Sequence, residues 1–182
     1  MIHPYGKSFY TFAEDSTIYQ WNLYSGWRIK KFQSGGQVVI TELEHHSNYL
    51  PWMKICDNSN LELKIVPVNE NGIIDEQQII DICSDTTKIL AITHMSNVTG
   101  QILDIKKIKS SISKDILIAL DGCQSIAHCN IDVQDLDCDF YSFSSHKLYG
   151  PSGVGILFGK QKILEEMDPP FLGGGMINDV TL

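Results

Sequence analysis

From residue 37 onward the chain alternates short runs of β-branched and apolar residues with stretches in which apolar positions recur every three to four residues. The runs 37–41, 61–67, 88–93, 116–120, 139–144 and 155–158 predict strands, and segments 47–57, 75–83 and 102–112 carry helical spacing. Strands alternating with helical segments predict an α/β domain, a mostly parallel sheet flanked by helices. Residues 1–34 read differently. They are rich in Tyr, Phe and Trp, lack the alternation, and are broken at Gly26 before Gly35-Gly36 opens the regular pattern. The expected division is an appended or diverged segment over 1–34 and a single domain over 35–182, with no internal repeat.

Four of the predicted strands end in polar residues able to do chemistry: Glu44-His-His46, Thr93-His-Met-Ser-Asn97, Asp121-Gly-Cys-Gln124 and Ser144-Ser-His-Lys147. In open α/β sheets ligands bind outside the carboxyl ends of the strands, so these clusters are expected to converge on one crevice. Lys147 is the most informative of them. It sits between a strand-like run and the turn Gly150-Pro-Ser-Gly153, where a Schiff-base lysine would sit. An amine becomes a useful nucleophile toward an aldehyde when burial or a neighbouring cation lowers its pKa, and His146 with an apolar flank is expected to supply both. The plainer reading is a hairpin with a solvated lysine near its turn.

A pyridine-aldehyde cofactor requires an amine, a carboxylate for its ring nitrogen, a group to stack on its face, and donors for its phosphate. Asp121, after the apolar run 116–120, is the candidate carboxylate; its plainer role is to cap the following helix. Gln124 can bond the phenolic oxygen, or it is an ordinary solvated side chain. His45 or His46 can stack on the ring and move protons. Ser144 and His146 bracket the lysine and suit phosphate, against a packed hydroxyl and a surface histidine.

Composition narrows the partners. The 182 residues are 43% hydrophobic, enough for one sizeable core. Fourteen basic residues against 22 acidic ones give a formal net charge of −8, with no basic cluster beyond those at 28–31 and 106–107. Nucleic acid and anionic membrane are therefore not expected as partners. The apolar runs are far shorter than the roughly 18 residues of a membrane span. Five cysteines, an odd number with no Cys-x-x-Cys pair, fit a reduced, cytoplasmic setting. Cys123 and Cys129 around His128 lack the paired spacing of zinc ligands, so no metal is expected.

With these residues in hand, the chain from about Gly36 onward resembles the central part of a cysteine desulfurase dependent on pyridoxal 5'-phosphate (PLP). It is similar to the selenocysteine lyase-like group within the class V aminotransferase family. The resemblance is carried by Glu44-His-His-Ser-Asn48 with Pro51-Trp52, Thr93-His-Met-Ser-Asn-Val-Thr-Gly100, Asp121-Gly-Cys-Gln124, Ser144-Ser-His-Lys-Leu-Tyr-Gly-Pro151 and Gly173-Gly-Gly-Met-Ile177. It implies an incomplete large domain of the PLP-dependent transferase (aspartate aminotransferase-like) type. It further implies Lys147 as the Schiff-base lysine, Asp121 on the pyridine nitrogen, Gln124 on the phenolic oxygen and His45 over the ring. Ser144 and His146 would hold the phosphate, and Asn97 would lie near substrate and cofactor.

The implied reaction takes sulfur from L-cysteine, or selenium from L-selenocysteine, leaving alanine and a persulfide for iron–sulfur cluster assembly or other sulfur delivery. A homodimer and a sulfur-acceptor protein are the implied partners. The family's N-terminal phosphate turn, persulfide cysteine and carboxylate-binding arginine are not recognisable. The alternatives are accordingly a truncated noncatalytic remnant or interaction partner, or another class V PLP enzyme, a lyase or transaminase. Cys123, where a small residue is usual, reads as packing.

Overall fold

The computed structural model describes residues 36–59 and 61–165. Its centre is a six-stranded sheet in the order β2-β1-β3-β4-β5-β6. The strands are β1 (Gln37–Thr41), β2 (Glu62–Val66), β3 (Thr87–Thr93), β4 (Leu117–Asp121), β5 (Phe140–Ser144) and β6 (Gly155–Gly159). Neighbours pair in parallel from β2 through β5, and β6 returns antiparallel to β5. The fold is thus the expected α/β class. The chain leaves β1 toward one edge and crosses back to β3 on its other side, so the strand order reverses between β1 and β3. That is where open sheets leave a crevice at their carboxyl ends.

Alternate side chains of the central strands enter two separate cores, as strand geometry dictates. Val38, Ile40, Ile89, Ala91 and Ala119 face Trp52, Ile55 and Cys56 of helix α1 (His46–Ser59). Val39, Leu90, Ile92, Ile118, Leu120 and Tyr141 face Ile79 of α2 (Glu76–Ile82) and Ile105 and Ile108 of α3 (Ile105–Ser111). Asp75 caps α2 by accepting the Gln77 N–H, and Asp104 caps α3 by accepting the Lys107 N–H.

The capping of α3 corrects the sequence expectation. Helical spacing predicts a helix from residue 102, but Ile102 bridges Met95 and the Leu103 N–H donates to the His94 carbonyl at 3.0 Å, extending the β3 region sideways. The helix starts only after Asp104. Short helices α4 (Ser125–His128), α5 (Val133–Leu136) and α6 (Gln161–Glu165) escape the pattern because each is too brief for a period to register. Among the described residues no helix is long and apolar enough to cross a membrane. The division at 34/35 and the glycine motif 173–177 lie outside the described residues.

Candidate active site

The site begins where β1 ends. Glu44 is only 6% exposed. Its Oε1 accepts the Thr41 hydroxyl at 2.6 Å and the Thr93 N–H at 3.0 Å, and its Oε2 accepts the Asn48 amide at 2.7 Å. Asn48 in turn accepts the Trp52 indole N–H at 3.2 Å. Burial pushes the Glu44 carboxyl up to about 7 against the pull of these donors, and the charge of Asp121 pushes the same way. One carboxylate thereby fastens the β1 turn to both the end of β3 and the first turn of α1. His45, carried by that turn, is exposed. Its Nδ1 receives the Ser47 N–H at 3.2 Å and lies 2.7 Å from the Ser47 hydroxyl. A backbone N–H can only donate, which assigns the ring proton to Nε2.

Asp121 closes β4 and is 5% exposed. Its carbonyl accepts the His94 N–H at 2.9 Å and its Oδ1 accepts the Cys123 N–H at 2.9 Å, folding 121–123 into a tight turn. The cap position of α4 is Gln124, which makes no side-chain cap bond, so Asp121 is not the helix cap of the plainer reading. Glycine is required at 122. A Cβ there would lie 2.1 Å from the Tyr141 ring, far inside contact distance. Burial pushes the Tyr141 phenol well above its ordinary range, and its oxygen lies 2.7 Å from Ser125 Oγ.

Ser144 ends β5 and is 4% exposed, its Oγ 3.9 Å from the Cys123 sulfur. A 3₁₀ turn, Ser145–Leu148, follows and carries His146 and Lys147. Ser145 pins the connection to β6: its N–H donates to the Val154 carbonyl, its carbonyl accepts the Gly150 N–H, and its hydroxyl donates to the Pro151 carbonyl. Tyr149 and Gly153 adopt positive φ of 60° and 82° to reverse the chain. Lys147 does sit in the connection between two antiparallel strands, as the plainer reading had it, and it is half-buried there. The enclosure expected from its own flank is absent: His146 is exposed, and Leu148 and Tyr149 are 44% and 99% exposed. Its walls come instead from other strand ends.

Those ends meet in a cleft of about 410 Å³, within the range of small-molecule sites. His45, Asn97, Asp121, Gln124, Ser144, His146 and Lys147 all line it. His46, the alternative to His45, is not among the lining residues. Ser47, Thr93, Met95, Ser152 and Gly153 also line it, without a role assigned from sequence, as does Cys123, which the sequence reads as packing. Ser47 was findable as the residue two beyond a strand-end histidine. Glu44 stood in a strand-end cluster but its role did not show, and Tyr141 carried no signal, because the importance of both lies in contacts across strands.

The mostly parallel six-stranded sheet flanked by helices is of the PLP-dependent transferase class, and its strand-end lysine, buried carboxylate and hydroxyl share one cleft. The family model Aminotransferase class-V matches residues 12–182, and the chain belongs to that family. A cysteine desulfurase of Wigglesworthia glossinidia brevipalpis is 44% identical over 158 residues, covering 86% of this chain and 38% of the relative. The chain therefore spans well under half the length of that relative. Among solved structures, the cysteine desulfurase CsdA of Escherichia coli is 36% identical with a TM-score of 0.76, covering 84% of this chain and 38% of that one. The apo cysteine desulfurase of Thermococcus onnurineus NA1 is 30% identical with a TM-score of 0.79, covering 89% of this chain and 41% of that one.

Family membership implies PLP as the cofactor. The donor set fits it: an amine, a nearly buried carboxylate, a buried hydroxyl and imidazoles face one cleft of adequate volume.

Proposed function

We propose that this chain is the cofactor-binding part of a PLP-dependent cysteine desulfurase, a protein that converts L-cysteine to alanine and leaves the sulfur as a persulfide. The convergence of Lys147, Asp121, Gln124, His45, Asn97, Ser144 and His146 on one cleft is the observation that carries the reading. The cysteine desulfurase relatives support the substrate, with L-selenocysteine as its alternative.

When bound, PLP supplies an electron sink for charge developing at the substrate Cα. Lys147 Nζ would hold the aldehyde and move the Cα proton. Asp121 would hold a proton on the ring nitrogen, and its low exposure would keep water from screening that charge. Gln124 would donate its amide N–H to the phenolic oxygen. His45 would cover the ring with its Nε2–H tautomer fixed by Ser47. Ser144 and His146 would hold the phosphate, and Asn97 would lie near the substrate. The sulfur-accepting thiolate is a role for which Cys56, Cys83 and Cys138 are unsuited, since burial pushes each up to about 11. A sulfur-acceptor protein would then take the persulfide sulfur for iron–sulfur cluster assembly. The exposed Leu148, Tyr149 and Val154 support a homodimer in which a second subunit covers this rim. Free cysteines throughout fit a cytoplasmic setting.

The test is the absorption spectrum of the full chain after PLP is added. A visible band at about 420 nm is expected in the native chain and not in Lys147→Ala. Alanine release from L-cysteine is then assayed. Folded protein with no Lys147-dependent band overturns the reading in favour of a noncatalytic interaction partner.

A further inference from the structure

The turn that presents Asp121 and Gln124 rests on a pair of hydroxyls outside the cleft. Tyr141 is 1% exposed and Ser125 is fully buried, and neither lines the cleft. The Tyr141 ring occupies the space beneath Gly122, and its oxygen lies 2.7 Å from Ser125 Oγ. Ser125 Oγ donates to the Gly122 carbonyl at 3.3 Å, which leaves Tyr141 as the donor to Ser125. The order is therefore Tyr141 O–H to Ser125 O–H to Gly122 C=O, a chain in which each link polarises the next. The Ile126 N–H adds a second donor to that carbonyl at 2.9 Å. On the far side His94 meets the Tyr141 ring edge-on at 6.1 Å, while its backbone N–H holds the Asp121 carbonyl.

We propose that Tyr141 and Ser125 are a positioning pair that orients Asp121 and Gln124 toward the cofactor, an inference that rests on the PLP reading above. Asp121 precedes the bonded carbonyl of Gly122, and Gln124 precedes Ser125, so the chain fixes the turn on both sides of its functional residues. Filling the core alone would need a ring and no hydroxyl, because a buried hydroxyl is a cost unless it is bonded. The pair acts only through the turn. Its removal should alter how bound cofactor behaves rather than whether the protein folds.

The experiment uses the full chain with Tyr141→Phe, Ser125→Ala, the double variant, and Ile108→Val as a control that loosens the same core at α3, with no part in the hydroxyl chain. Titration with PLP reads the apparent Kd and the pH midpoint of the Lys147-dependent band, and urea unfolding reads stability. Each single variant is expected to weaken PLP binding about threefold to tenfold and to move the pH midpoint. The double variant should go no further than either single. Ile108→Val should lower the urea midpoint and leave both cofactor readouts alone. The proposal is overturned if Tyr141→Phe and Ser125→Ala behave like Ile108→Val.

Should the native chain itself show no band, the PLP reading fails, and the pair is judged on backbone amide resonances. Shifts at Cys123 and Gln124 with none at Ser47 and Asn48 keep the positioning role. Unmoved Cys123 and Gln124 amides remove it.

Discussion

Two buried carboxylates sit at opposite ends of the same sheet and are satisfied by different means. At the amino-terminal end Asp139 accepts the Ile118 N–H at 2.8 Å, with Lys160 at 3.0 Å from one of its oxygens and Lys109 at 3.6 Å from the other. At the carboxyl-terminal end Glu44 accepts a hydroxyl, a side-chain amide and a backbone N–H, all uncharged. Cations offset the charge of the first. Burial disfavours the charge of the second, and so does the neighbouring Asp121 that the proposed chemistry needs. One carboxylate is thus held by ion pairing and the other by uncharged donors, which makes the second the pH-sensitive one.

The largest effect should come from breaking the carboxyl-terminal end at its tightest contact. Gly122→Ala drives a methyl into the Tyr141 ring, backed by strand on one side and turn on the other, and should cost about 3 kcal/mol in urea unfolding. If it costs less than the last variant below, the packing of this end has been misjudged.

Next comes the pH dependence of Glu44. Burial pushes its folded carboxyl up to about 7 from an ordinary 4.5, so the folded state binds more protons between those values. Stability from this group is therefore fully present below pH 4.5 and is lost as pH rises through 7, by about 3 kcal/mol. The stability difference between the native chain and Glu44→Gln should shrink by that order across the window. A difference independent of pH would erase the contrast between the two ends.

A smaller effect is expected at the other end. Asp139→Ala leaves the Ile118 N–H unpaired and should cost about 2 kcal/mol. The Lys160 pair contributes little, its side chain being 35% exposed. The visible band with PLP should be unchanged. The smallest effect should be Gly159→Ala, whose new methyl meets the Leu164 side chain at 2.8 Å from Cδ2 and 3.0 Å from Cγ, a side chain rather than backbone that can give way, at under about 1 kcal/mol.

The strands were legible because each is a short β-branched run bounded by polar turns, and the parallel sheet followed from the helical segments between them. The cleft was legible for the same reason: Asp121, Ser144 and Lys147 are polar residues at the ends of apolar runs. What sequence pattern could not express was contact between strands. The antiparallel return of β6 depends on the ten-residue connection pinned by Ser145, and nothing in the apolar run 155–158 encodes direction. Glu44 reads as one more polar turn residue until Thr93 and Asn48 are seen to close over it. The flank of Lys147 misled because apolar side chains beside a buried group need not point toward it, and Leu148 and Tyr149 point to solvent.

The fit of the Tyr141 ring against Gly122 also constrains how this sequence can change over generations. A side chain at 122 becomes admissible only after the ring at 141 has shrunk, and losing the phenol first takes from the Ser125 oxygen the donor that faces it. Either order passes through a disfavoured intermediate. The two positions should therefore drift together or not at all, a historical lock set by a gap of one methyl group.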